Sequence, residues 1–431
     1  MHIEPLLAAA VGPFSILEVC LMAAVVLLIL MIWVLTHHQE SHYDGVPEGC
    51  IDDMLPALAG ATHSHVTHGN SVRLVQDADY FTEVVREIDG AKHSVHLETF
   101  LWKCGEAAER ISSALAGAAQ RGVKVRVMVD ARGSSGMTTD TREKLKDSGC
   151  QLHFYHPWVP SNFGRFNLRD HRKIVVLDGK TAYVGGHCVT DDWLKDSEDK
   201  PRVRDITARF TGPVVGSIQG VFLENWEVAC GELLIEHETF PDLEETGNVR
   251  AHVASIRPDG SPSAVQILHY LAISMAKKSI RIQNPYFLPD PRGAKALAAA
   301  ARRGVDVRIM TPSPRATDNP LVSSAGHFLY RELLEGGVRI FEYRKCLLHQ
   351  KVITIDGTWC GIGSSNFDDR SFEINDEITI GIADGKTVAE LEEIFEKDLE
   401  ECKERTLEEW NNRPAYKRAY DGLCYLFNEQ L

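Results

Sequence analysis

Residues 171–179 read H-R-K-I-V-V-L-D-G, and residues 349–357 read H-Q-K-V-I-T-I-D-G. Each string places a lysine two residues after a histidine and an aspartate five residues after the lysine. Taken singly, either is an edge strand with two solvated polar residues at its mouth. Together they are a chemical set. Two ammonium groups brought close are unfavourable unless an anion lies between them. If the strings meet, His171, Lys173, His349 and Lys351 surround a place for a phosphate diester. A neutral imidazole can attack phosphorus and form a phosphohistidine. A protonated one can give a proton to the departing oxygen. An ordinary pKa of about 6.5 suits an imidazole to either task, so the two can exchange roles in a second half-reaction. The lysines supply the neutralisation that Mg²⁺ gives elsewhere, so neither metal nor cofactor is expected.

Each imidazole needs an acceptor on its second nitrogen to fix its tautomer. Asp205 and Glu377, which open later strands, are the candidates, with Glu377 expected to serve His349. Asp178 and Asp356 complete the strings, yet on an extended strand they lie about 16 Å beyond their lysines. A structural or inter-copy role is expected for them. Ser364 and Asn366, in Gly363-Ser364-Ser365-Asn366, can offer neutral donors to phosphoryl oxygens. The earlier copy has Gly186-His187-Cys188 at that place, so Asn366 has no amide counterpart and the halves are unequal.

The elements that must position these residues come in duplicate. Ala91–Glu98 resembles Ala276–Gln283, and Arg121–Met128 resembles Arg303–Met310. An alanine-rich helix precedes each second stretch, a glycine closes it, and a β-branched run follows. The strings 171–179 and 349–357 are the next matching pair. Strands alternating with helices give an α/β fold with a sheet in each half. The expectation is two duplicated α/β sandwich domains around a shared site, 46–245 and 246–431, parted by the polar stretch Asp242–Asn248. Residues 1–45 precede them as a membrane anchor.

That anchor is read from Val19–Leu35, which carries no charge. With Phe14, Ile16 and Leu17 it reaches about the 20 residues a bilayer needs, and only Glu18 interrupts its start. Trp33 stands where an interfacial aromatic would sit. No Lys or Arg precedes the run, which disfavours a cleaved signal peptide. A single transmembrane helix over about 14–36 is expected. The first basic residue is Arg73, so orientation is not given.

The net charge of −15 argues against a nucleic-acid surface, which needs clustered Lys and Arg. The ten cysteines include no C-x-x-C pair and read as buried free thiols, with neither zinc site nor disulfide framework. His63, His65 and His68 lack nearby carboxylate or cysteine partners and read as a solvated linker. From Trp410 to Leu431, aromatic and leucine residues recur with Arg413, Lys417 and Arg418 at helical spacing. That pattern fits a membrane surface or packing against the domain.

The duplicated H-x-K-x₄-D, followed by Gly-Gly or Gly-Ser, resembles the phospholipase D superfamily from about residue 69 to the C-terminus. Asn284–Asp290, Gly363–Phe372 and Asn375-Asp376-Glu377 are similar to segments of bacterial cardiolipin synthases. The resemblance implies a phosphatidyltransferase with His171, Lys173, Asp178, His349, Lys351 and Asp356 as its catalytic set. It gives the nucleophile's part to His171 and the acid's to His349. A phosphatidyl group from phosphatidylglycerol would be held on histidine, releasing glycerol. A second phosphatidylglycerol would then take it, giving cardiolipin. The implied partners are phospholipid and membrane, with no nucleic acid, and the implied location is the inner membrane of a bacterium. Hydrolysis or transfer to other alcohols, as in a phospholipase D, is the alternative, and a nuclease is the more distant one.

Overall fold

The computed structural model describes residues 15–36, 49–157, 167–257 and 263–428. It divides into two units, the chain up to Gly45 and the body Val46–Glu429. In the first, a helix spans Ile16–Thr36, and Glu18 accepts from the Ser15 amide and hydroxyl at 2.7 and 2.8 Å. The expected transmembrane helix is overturned: among the described residues, no helix is long and apolar enough to cross a membrane. Phe14 and the Trp33 side chain lie outside the described residues.

The body is built from strands that fall into two matching sets. The earlier set is β1 Thr67–Gln76, β2 Ser94–Thr99, β3 Lys124–Asp130, β4 Gln151–Tyr155, β5 Arg169–Asp170, β6 Lys173–Leu177, β7 Thr181–Gly185 and β8 Ile206–Thr211. The later set is β9 Val249–Ile256, β10 Ser279–Gln283, β11 Phe287–Leu288, β12 Asp306–Pro312, β13 Arg339–Tyr343, β14 Val352–Ile355, β15 Trp359–Gly363, β16 Phe367–Asp368, β17 Asn375–Ala383 and β18 Cys402–Arg405.

Lateral order gives the duplication its physical form. One half runs β4-β3-β2-β6-β7-β8-β1, and the other runs β13-β12-β10-β14-β15-β17-β9. The two sequences of neighbours correspond strand for strand. They join where β1 and β9 pair antiparallel, so the expected two sheets are one continuous mixed sheet. The parallel pairs β2–β3 and β10–β12 need crossovers, supplied by helices Glu106–Gln120 and Pro291–Arg302. Both helices stop in the same way. The Gly122 amide donates to Ala119 O and the Val123 amide to Ala118 O, at 2.9 and 3.1 Å. Gly304 and Val305 repeat this on Ala301 and Ala300, at 2.9 and 3.2 Å. The left-handed turn requires the glycines, with φ of 88° and 93°.

Alternation along β6 and β14 assigns their faces. Val175 and Leu177 join a core with Ile111 and Leu115. Ile174 and Val176 join Val214, Ile218 and Val221 of helix Val214–Cys230 on the other side. Ile353 and Ile355 face Leu297, while Val352 faces the second cluster. That cluster also takes Ile362, Ile380 and Leu391, so one core runs through both halves. Cys150, Cys188, Cys346, Cys360 and Cys424 are buried free thiols, whereas Cys20 and Cys104 are exposed.

Candidate active site

The mouths of β6 and β14 carry the two strings. Period-2 alternation turns His171 and Lys173 to one side of the chain and Arg172 to the other. Arg172 donates to Val221 O at 2.7 Å and pairs with Glu224 at 2.9 Å, both on helix Val214–Cys230. In the same way Gln350 turns away from His349 and Lys351 and donates to Asp398 at 3.3 Å, on helix Gly385–Leu399.

What brings the strings to one site is an exchange between halves. β5, just before His171, pairs in parallel with the start of β17, Arg169 opposite Asn375 and Asp170 opposite Asp376. The His171 amide donates to Asp376 O at 3.0 Å. The next residue, Glu377, is thereby set against His171, with Nδ1 2.8 Å from Oε1. The second string repeats the device. Leu348 bridges Arg204, the His349 amide donates to Arg204 O at 2.8 Å, and His349 Nδ1 lies 2.9 Å from Asp205 Oδ2. The expectation that Glu377 serves His349 is therefore corrected. Each carboxylate serves the imidazole of the opposite half, because each string is bridged to the opposite half's chain.

All four motif side chains are nearly buried, and Asp205 and Glu377 are fully so. Burial pushes the His171 imidazole down to about 4 and His349 well below the ordinary value, with Lys351 and Lys173 adding to the latter shift. Burial also brings the Lys351 ammonium down to about 7, against the pull of Asp205. Burial pushes Glu377 up, but His171, Lys173 and Ser364 outweigh it and hold the carboxylate below its usual range. Lys173 Nζ donates to the His171 carbonyl and lies 5.4 Å over the Phe100 ring. Lys351 Nζ donates to the His349 carbonyl at 2.9 Å and sits 3.0 Å from Nε2. These mutual effects place four basic groups around one small volume, the arrangement that an anion satisfies.

Asp178 and Asp356 stand at the far ends of their strands. Each is the first residue of an Asp-Gly turn with positive φ at both positions: 51° and 62° in one copy, 55° and 73° in the other. This is the two-residue geometry that closes a hairpin without opposing strand twist. The Asp178 carboxylate accepts the amides of Lys92, His93 and Ser94 at 2.7–3.1 Å. The Asp356 carboxylate accepts those of Lys277, Lys278 and Ser279 at 2.6–3.1 Å. Both fasten the start of a neighbouring strand and touch neither imidazole. Their place in the catalytic set is thus corrected to a structural one.

The Ser364 hydroxyl donates to Glu377 Oε2 and accepts the Ile378 amide at 3.1 Å. Its one proton is committed to Glu377, so the expected donation to a phosphoryl oxygen gives way to support of that carboxylate. Asn366 is buried, and its Oδ1 has no hydrogen-bond partner. At the earlier copy's equivalent of Ser364, a Cβ on Gly186 would collide with the Asp205 carboxylate. Asp205 is supported instead by Trp193, whose indole N–H donates to Oδ2 at 2.7 Å. The Trp193 ring meets His349 edge-on, centroids 4.9 Å apart. Phe100 meets His171 similarly at 5.1 Å. Sequence reasoning missed Trp193 and Phe100; an aromatic in the polar run Thr190-Asp191-Asp192-Trp193 was the one available signal. His187 is internally satisfied, by Thr207 Oγ1 and Asp77 O, each at 2.8 Å.

The family described as cardiolipin synthase, PLD-like domain, matches residues 84–199 and 271–399. A probable cardiolipin synthase of Bacillus subtilis is 31% identical over 375 residues, covering 85% of this chain and 74% of the relative. The major cardiolipin synthase of the same species is 32% identical over 381 residues, covering 87% and 78%. A cardiolipin synthase of Staphylococcus aureus is 30% identical over 380 residues, covering 87% and 76%. Among solved structures, a phosphatidylserine synthase of Haemophilus influenzae superposes with a TM-score of 0.63 at 15% identity, covering 84% of this chain and 95% of that one. A polyphosphate kinase of Porphyromonas gingivalis gives 0.53 at 15% identity, covering 89% and 56%. At such identities the likeness is one of fold alone. The sequence relatives, spanning both strings and most of the chain, show that this chain belongs to the cardiolipin synthase family of phospholipase D-like phosphatidyltransferases.

Proposed function

We propose that the chain transfers a phosphatidyl group between two phosphatidylglycerol molecules through a phosphohistidine, giving cardiolipin and glycerol. The halves, 46–245 and 246–431, contribute one string each. The observation that carries the reading is the pair of crossed imidazole–carboxylate contacts flanked by Lys173 and Lys351. With Nδ1 of each ring turned to a carboxylate, Nε2 is the nitrogen for chemistry.

In the first step one Nε2 bonds to phosphorus, and the bond from phosphorus to the glycerol oxygen breaks. The other imidazole gives that oxygen its proton. In the second step the acceptor hydroxyl returns a proton to the same imidazole, its oxygen bonds to phosphorus, and the phosphorus–nitrogen bond breaks. The resemblance gives the nucleophile's part to His171 and the acid's to His349. Lys173 and Lys351 neutralise the phosphoryl oxygens, and Glu377 and Asp205 steady the imidazolium that forms in turn. Ser364 acts through Glu377, and Asn366 remains a candidate donor to the phosphoryl group.

The lipid is met at a bilayer surface, which in a bacterium is the cytoplasmic membrane. Helix Ala415–Tyr425 and the turn after it expose Tyr416, Tyr420, Leu423 and Phe427. These positions follow one another by three or four residues and form a single stripe. Exposed Lys417 and Arg418 flank it, a fit to anionic lipid. The net charge of −15 disfavours nucleic acid as substrate.

Incubation with phosphatidylglycerol tests the reading: cardiolipin and glycerol are expected from the unaltered chain, and neither from His171→Ala or His349→Ala. Phosphatidic acid as sole product would replace the transferase reading with a hydrolytic one.

A further inference from the structure

The residues before His171 gather positive charge that the transfer steps above leave unused. Arg169 stands two residues before His171, on the same side of the chain by alternation, and pairs across strands with Asn375. The turn Arg370–Ile374 leads directly into Asn375. Arg370 donates to the carbonyl and side-chain oxygens of Asn167 at 3.1 and 3.2 Å, two residues before Arg169. The Arg169 guanidinium lies 3.6 Å from Asp130, which accepts the backbone amide of Arg132 at 2.9 Å. The charges of Arg132 and Arg169 both act on Arg370, so the three residues gather in one region.

Among the described residues, the carboxylates of Asp130 and Asp368 act on Arg370, and both also accept backbone amides. Asp130 also accepts the amides of Gly133 and Asp170, at 2.8 and 3.1 Å. Asp368 accepts the Ser371 amide at 2.7 Å. Arg169 is buried, and its Nε has no hydrogen-bond partner. Burial first, and then the like charges of Arg169 and Arg132 against the pull of Asp368, hold Arg370 below the usual guanidinium range. A buried guanidinium with an open donor, as at Arg169 Nε, favours a site that an anion can join. Guanidinium forks match phosphate oxygens in charge and shape. The feature is not part of the duplication, since the position equivalent to Arg169 in the second half is Leu347.

The proposed reaction supplies such an anion. A phosphatidylglycerol acceptor carries its own phosphate diester, three carbons from the hydroxyl that attacks. It brings a second negative charge into a site whose lysines already hold the first phosphoryl group. We propose that Arg169 and Arg370, with Arg132 at the exposed rim, form a second phosphate subsite that binds the diester of the lipid acceptor. The subsite rests on the transferase reading and selects a phospholipid acceptor over water or a simple alcohol.

The experiment uses the full chain with phosphatidylglycerol in detergent micelles and ethanol as competing acceptor. Cardiolipin and phosphatidylethanol then arise from the same covalent intermediate, and their ratio isolates the acceptor. Arg169→Gln and Arg370→Gln are expected to lower the ratio of cardiolipin to phosphatidylethanol about tenfold or more. Arg169→Lys and Arg370→Lys keep the charge and should lower it less. Arg331→Gln, on an exposed helix face beside Glu335, should leave it unchanged. An unchanged ratio in the glutamine variants, or equal falls of both products in glutamine and lysine variants alike, overturns the subsite. An unaltered chain that forms neither product overturns the transferase reading and the subsite with it.

Discussion

The surroundings of His171 and His349 are alike at the first contact and unlike at the second. Each imidazole has a lysine two residues on and a buried carboxylate on Nδ1 from the opposite half. Behind that, the halves part. Glu377 is braced by a serine hydroxyl, whereas Asp205 is braced by an indole N–H. Arg172 sits behind His171 among Glu98, Asp170, Asp376 and Glu224. Behind His349 the matching residue is neutral Gln350, and Arg204 lies between Asp77 and Asp398. Arg169 precedes His171 where Leu347 precedes His349. The chemical step is built symmetrically, and whatever distinguishes donor from acceptor must lie in the layers where symmetry fails.

The largest test of the comparison removes the imidazoles. His171→Ala and His349→Ala should each lower turnover by about 10²–10⁴-fold or more, measured as cardiolipin formed per enzyme. A large residual rate in one variant would show the symmetry to be only geometric. Replacing the crossed carboxylates comes next. Glu377→Gln and Asp205→Asn should each lower kcat by about 10²-fold with KM little changed, since a tautomer is lost and no lipid contact is.

The braces should separate the halves further. Ser364→Ala and Trp193→Phe are expected to lower kcat by about tenfold, with a shifted pH profile in each case. Lys351 gives the pH dependence itself. Its ammonium is held down to about 7, so it is charged below that pH and neutral above. Anion binding should weaken as pH rises through about 7, and kcat/KM should fall on that limb. Lys351→Arg, which stays charged, should move the falling limb upward. The smallest effect on turnover belongs to the turn aspartates. Asp178→Ala and Asp356→Ala each remove a carboxylate that accepts three amides, which costs about 2 kcal/mol of stability. Urea midpoints should drop by similar amounts in the two variants.

The strings, the duplication and the strand–helix alternation were legible because each is local: a period of two, a glycine stop, an Asp-Gly turn. The identity of Asp205 and Glu377 was legible too, from their place at the head of matching strands. Their crossing was not. It depends on β5 pairing with β17 across more than two hundred residues of chain, and no local pattern encodes that register. Ser364 looked like a free donor because sequence shows a hydroxyl but not the carboxylate that captures its proton. Trp193 and Phe100 lie far along the chain from the imidazoles they touch. The apolar run at the N-terminus was read as a bilayer span from its composition, but no helix among the described residues qualifies as one.

The crossed carboxylates also make each half depend on the other. A lone copy of the repeat would hold an imidazole without the acid that steadies it. It would also hold an acid with no imidazole to serve. Such a unit becomes competent only when a second copy lends its acid in return. The reciprocal loan makes the two halves one catalytic unit, in which neither imidazole is complete without the other half.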